Sequence, residues 1–121
     1  MAVSSLDYTL EALLDLDGET FIYPSGHWCK IKVRKLLSID QNFPHGIKYS
    51  LTLHAPNGVR ILGYDNAHAA PGESADIPFD HIHKKTRVVS YSYQNAAQLW
   101  ADFFGDVKVI LEFEKEHEYE I

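Results

Sequence analysis

Two alternating runs, one on each side of Pro56-Asn57-Gly58, restrict this chain more than any other feature. Residues 47–54 read Ile-Lys-Tyr-Ser-Leu-Thr-Leu-His, and residues 59–64 read Val-Arg-Ile-Leu-Gly-Tyr. Period-two alternation joined by a turn with an Asn-Gly pair predicts a β-hairpin. A slip of one residue would turn every side chain to the other face, so the register matters. A two-residue loop sets Leu53 against Arg60 and mixes apolar with polar groups. A three-residue loop with Gly58 left-handed sets Leu53 against Ile61, Ala55 against Val59 and His54 beside Arg60. In this second register Lys48, Ser50, Thr52, His54, Arg60, Leu62 and Tyr64 share one face.

The flanking segments extend that sheet. Cys29, Ile31 and Val33 alternate with Lys30, Lys32 and Arg34, as in a half-buried strand with one wholly basic face. Thr20 to Tyr23 is a short β-prone run, and Arg87 to Tyr91 reads as a last strand. At the N-terminal end Leu6, Leu10, Leu13 and Leu14 recur at helical spacing after Ser4, which predicts a helix over residues 5–15. At the other end Ala96, Leu99, Trp100, Phe103, Val107, Ile110 and Leu111 form an apolar stripe opened by Asn95. Residues 107–113 also alternate, but the stripe keeps its register across Gly105, which favours one long helix. The predicted fold is α+β: a single antiparallel sheet of about four to five strands with an N-terminal helix and a long C-terminal helix. With 121 residues the chain suits one domain, residues 1–121.

No apolar run approaches the roughly 18 residues of a membrane span, and residues 1–7 lack a signal peptide's basic start, so the expectation is a cytoplasmic protein of a bacterium or archaeon with no membrane partner. Cys29 cannot form an internal disulfide and is expected to be a small core residue. The net charge of −6 argues against generic nucleic-acid binding, but the charge is segregated. Residues 1–26 hold five acids and no base, and residues 94–121 hold seven acids and two lysines. The centre carries Lys30, Lys32, Arg34, Lys35, Lys48 and Arg60 against Asp40 alone.

Seven histidines offer proton exchange near neutrality. His27, His45 and His117 lie in turns or the acidic tail and are expected to be inert. His68, His81 and His83 differ, with Asp65, Asp80 and Lys84 close in sequence. On an extended backbone His81 and His83 point the same way, about 7 Å apart. One reading makes them general base and acid on an RNA 2′-hydroxyl and 5′-oxygen, with Lys84, Lys85 or Arg60 stabilising the phosphorane. A second has His81, His83 and a third group, His68 or an aspartate, bind a transition metal. A third is a loop pinned by Asp-to-backbone hydrogen bonds, with Asp65 and Asn66 as caps. Trp28, Trp100, Phe103 and Phe104 fall on apolar stripes and read as core or interface residues rather than a base-stacking platform. No Gly-rich phosphate loop, Cys pair or nucleophile elbow is present, which removes nucleotide-hydrolase, zinc-ribbon and serine-hydrolase chemistry.

The order of these motifs resembles the TumE family, toxin components of type II toxin–antitoxin modules. The resemblance rests on His45-Gly-Ile-Lys-Tyr-Ser-Leu-Thr-Leu-His54, Pro-Asn-Gly-Val-Arg60, Ile-Leu-Gly-Tyr-Asp-Asn-Ala-His68, Asp80-His-Ile-His-Lys84, and Tyr93 with the helix from Ala96 to Asp106. It covers the chain from Leu13 onward. It implies a toxin encoded beside a helix-turn-helix antitoxin, with Tyr64, Asp65, Asn66, His68, Asp80, His81, His83 and Lys84 at the motif positions. The outline is also similar to RelE-type ribonuclease toxins, but the acidic ends depart from the basic character of ribosome-dependent members. The expectation is therefore a metal-independent endoribonuclease acting on RNA without a cofactor. His81, His83, His68 and Lys84 are its candidate catalytic residues, and Arg60, His54, Lys48, Tyr64, Asp65, Asn66 and Asp80 its candidate substrate contacts. The alternatives are a non-catalytic module that docks on a protein partner or holds a metal in the His68 to His83 region, and a homo-oligomer joined through the helix stripe and Trp100.

Overall fold

A computed structural model describes residues 8–37, 45–66, 80–85 and 87–117. In order, the elements are α1 (Tyr8–Asp15), β1 (Thr20–Ile22), β2 (Trp28–Lys35), β3 (Ile47–His54), β4 (Arg60–Asp65), β5 (His81–His83), β6 (Val88–Ser90) and α2 (Ala96–His117). The strands make one antiparallel sheet in chain order, β1 to β6. The α+β class holds, with six strands where four to five were expected. The addition is β5, whose three residues are too short to show a period of their own. The predicted start of α1 at residues 5–7 and the cap at Ser4 lie outside the described residues.

Both helices lie on one face of the sheet. Alternation on β2 and β3 turns Cys29, Ile31, Val33, Ile47, Tyr49, Leu51 and Leu53 towards them, where Leu99, Phe103 and Val107 of α2 complete the core. Burying a side chain of this size contributes about 1.5–3 kcal/mol, which fixes the faces of the strands. α2 is a single helix through Gly105, as the stripe predicts. Gly105 is exposed, with nothing within 4 Å of where a Cβ would stand, so no close packing requires a glycine there. Asn95 caps the helix: its Oδ1 accepts the Gln98 amide at 2.8 Å. Among the described residues no helix is long and apolar enough to cross a membrane.

Cys29 has no exposed surface, and burial pushes its thiol up to about 11, with the Tyr23 hydroxyl acting the other way. Thiolate is the reactive form, so a native sample should leave Cys29 unalkylated by iodoacetamide at pH 8, and denaturant should expose it. Rapid native labelling would contradict this packing.

The hairpin turn forms as expected. Gly58 adopts φ 90°, Gly58 N donates to Ala55 O, and Ala55 N donates to Val59 O at 2.9 Å. His54 pairs with Arg60. The next pair departs from the expected register, because Leu53 meets Leu62 and Ile61 is left as the extra residue of a β-bulge. Beyond it β4 is shifted by one position. Leu62 and Tyr64, expected on the polar face, are buried in the core, while Gly63 and Asp65 occupy the face opposite the helices. The physical reason is burial: the bulge lets Ile61, Leu62 and Tyr64 all leave water, which strict alternation forbids.

Candidate functional site

The bulge aims Asp65 at β5. In the β4–β5 ladder Asp65 pairs with His81 and Gly63 with His83, so both imidazoles and the carboxylate share the face away from the helices. His81 Nε2 lies 2.9 Å from Asp65 Oδ1, and His83 Nε2 lies 3.2 Å from Asp65 Oδ2. The two Nε2 atoms are 2.9 Å apart, with the rings nearly perpendicular. Residues two apart on a strand are wider than this at Cα, so the rings turn inward on the carboxylate. His81 is buried and His83 half-buried, the His83 side chain being 27% exposed. Burial lowers the pKa of His83, with Asp65 opposing the shift and Arg60 and His81 adding to it. Burial thus favours the neutral form of the His83 imidazole. Arg60 lies over Gly63, where a Cβ would meet its stem and guanidinium in ordinary contact at 3.5–3.7 Å, and its charge acts on His83.

A cleft of about 670 Å³ runs along the same face, lined by Lys30, Lys32, Arg34, Lys48, Ser50 and Asp65 among others. Arg34 pairs with Lys48 and Lys32 with Ser50 across β2 and β3, and Ser50 pairs with Asp65 across β3 and β4. The sheet thus carries a row of cations from β2 and β3 to the carboxylate on β4. Trp28, read from the sequence as core or interface, is not in the core: it lies on this face, because it pairs with His54 one position out of phase with Cys29. Its indole stacks on the His54 imidazole at 3.9 Å and 11°. His54 Nε2 is also 2.9 Å from Thr52 Oγ1.

The other expected site residues are placed elsewhere. Asn66 is buried, with Oδ1 accepting the Tyr49 amide at 3.0 Å and Nδ2 donating to Ile47 O at 2.9 Å. Asp80 accepts the Tyr49 hydroxyl at 2.7 Å and lies 2.7 Å from His45 Nε2, with Tyr93 against the His45 ring. The Tyr64 hydroxyl donates to Asp106 of α2, and burial followed by that bond pushes it well above the usual tyrosine range. Lys84 follows His83 on the opposite phase and lines a separate groove with Ile110 and Phe113. His68 lies outside the described residues. Sequence reading missed the parts of His45 and His27; the latter binds Ser25 and Glu114, tying the β1–β2 turn to α2. Their partners are 35 and 87 residues away, so no local pattern signals them.

The family model described as Toxin TumE matches residues 26–111, from the turn before β2 to near the end of α2. The chain belongs to the TumE toxin family. The TumE match includes the whole cationic row, the bulge, Asp65, His81 and His83. Comparisons with curated proteins and with solved structures gave no match.

Proposed function

We propose that this TumE toxin cleaves RNA on the open face of its sheet, with phosphates held by the cationic row and the scissile linkage presented to Asp65, His81 and His83. The observation that carries this reading is that the basic cleft and the Asp–His–His cluster are continuous, Asp65 belonging to both. In the reaction the 2′-oxygen bonds to phosphorus, the bond from phosphorus to the 5′-oxygen breaks, one proton leaves the 2′-hydroxyl and one reaches the 5′-oxygen. In this reading the more exposed imidazole of His83 takes the 2′-hydroxyl proton, His81 delivers one to the 5′-oxygen, Asp65 holds both rings, and Arg60 offsets the charge on the phosphorane. The flat Trp28–His54 pair offers a nucleobase a stacking surface beside the row. The setting is a cytoplasmic toxin–antitoxin pair in which a helix-turn-helix antitoxin silences the toxin.

The cationic row gives a test independent of the chemistry. Lys32→Ala, Arg34→Ala and Lys48→Ala together should weaken binding of single-stranded RNA and reduce the dependence of log K on log salt by about 2, at ~0.7 for each phosphate that the protein no longer neutralises. Filter binding at several salt concentrations measures both. An unchanged slope would place the RNA elsewhere.

A further inference from the structure

Asp65, His81 and His83 form a triangle of contacts: His81 Nε2 to Asp65 Oδ1 at 2.9 Å, His83 Nε2 to the other oxygen, Oδ2, at 3.2 Å, and the two Nε2 atoms 2.9 Å apart. With the carboxyl ionised, no placement of the imidazole protons satisfies all three contacts. If both Nε2 atoms carry protons and donate to Asp65, the third edge sets two donors face to face. If one nitrogen is bare, its lone pair faces a carboxylate oxygen. A cation seated against the triangle removes the conflict by accepting a lone pair from every corner.

The edge lengths also fit. Metal–ligand bonds of about 2.0–2.2 Å at right angles put ligand atoms about 2.8–3.1 Å apart, against about 3.3–3.6 Å at tetrahedral angles. The Nε2–Nε2 and His81 Nε2–Oδ1 separations, both 2.9 Å, match the right-angle value, and the His83 nitrogen reaches the second carboxylate oxygen at 3.2 Å. One acid and two imidazoles, all within 4.8 Å of one another, form the group of this kind among the described residues. Two nitrogens with one carboxylate suit a borderline transition metal better than calcium or magnesium, which take oxygen ligands.

We propose that Asp65, His81 and His83 bind one divalent transition metal as three facial ligands, leaving the remaining positions for water or a phosphate oxygen from the cleft that Asp65 lines. The ion's presence rests on the triangle; its part in catalysis rests on the RNA-cleaving function proposed above. With an ion bound, the imidazoles would serve as ligands in place of acting as proton carriers, and the ion would supply Lewis acidity and a more acidic water at its open positions.

The test is calorimetry on the full chain without an affinity tag, dialysed against chelator and titrated separately with manganese, nickel and zinc chloride. The expected result is one ion per chain for at least one metal. Asp65→Asn and His83→Gln should weaken binding at least by the roughly 10- to 100-fold that loss of an outer-shell partner costs. His81 is buried, so its variant is interpretable only after circular dichroism shows a folded protein; His83→Gln, at the more exposed position, keeps the test decisive without it. No saturable binding by the parent, or equal affinity in Asp65→Asn and His83→Gln, would overturn the proposal. RNA cleavage measured on the same samples separates the two ideas. Cleavage by a chain that binds no metal removes the ion alone, whereas metal binding by a chain that never cleaves RNA supports the site and removes the functional reading.

Discussion

Asp65→Asn and His83→Gln variants are expected to lose about two to four orders of magnitude in RNA cleavage, and with it toxicity in cells, with His83→Gln melting close to the parent's temperature. Asp65 contacts both imidazoles, and its side chain is 13% exposed. An amide in its place donates where the carboxylate accepted, so it faces the rings with the wrong group whether they carry protons or hold a metal. His83 is half-buried at the end of a three-residue strand, and its replacement removes no core packing. The effect of His83→Gln should therefore fall on activity and leave stability nearly intact. Growth arrest on induction and cleavage by purified protein are the readouts, with thermal melting as control. Variants that stay toxic and cleave RNA at the parent's rate would remove the cluster from the reaction.

Asn66→Ala should have the opposite profile, with a large loss of stability. The Asn66 side chain is fully buried, 1% exposed, and its amide satisfies the backbone amide of Tyr49 and the carbonyl of Ile47. These groups belong to the β3 edge facing the end of β4, where the ladder has run out at the Ser50–Asp65 pair. Alanine leaves both without that partner in a dry place, which costs about 2–4 kcal/mol in all. For a domain of this size the melting temperature should fall by roughly 10 °C. Asn66→Asp separates the two roles of the amide, since it keeps an acceptor for Tyr49 but loses the donor to Ile47. A melting temperature unchanged in Asn66→Ala would mean that the clamp contributes nothing. An activity loss without a stability loss would make Asn66 part of the substrate site.

Asn66 also shows how far a sequence can be read. An Asx residue after a strand points to a cap, and that is how it serves, but which backbone it caps depends on a neighbour 17 residues earlier. The alternation of β2 and β3, the left-handed Gly58 and the continuous helix through Gly105 were all legible, because each is local and periodic. The bulge at Ile61 was not. Counting by twos assumes one residue opposite one, and an inserted residue leaves no mark except consecutive apolar side chains at Ile61 and Leu62. That single residue moves Tyr64 under α2 and brings Asp65 out to the histidines. The sequence pattern therefore named Asp65, His81 and His83 as candidates without showing that they converge. For Trp28, next to a strand's apolar face in sequence, hydrophobicity suggested the core or an interface, and strand phase removes the core.

The product ends of one reaction test the proposed cleavage most directly. Purified tag-free protein incubated with an end-labelled RNA should release fragments carrying a 5′-hydroxyl and a 2′,3′-cyclic phosphate or its opened form, and the His83→Gln protein should release none above background. Intact RNA in the presence of protein that still arrests growth would contradict the proposed cleavage, and fragments with 5′-phosphate ends would contradict attack by the 2′-oxygen.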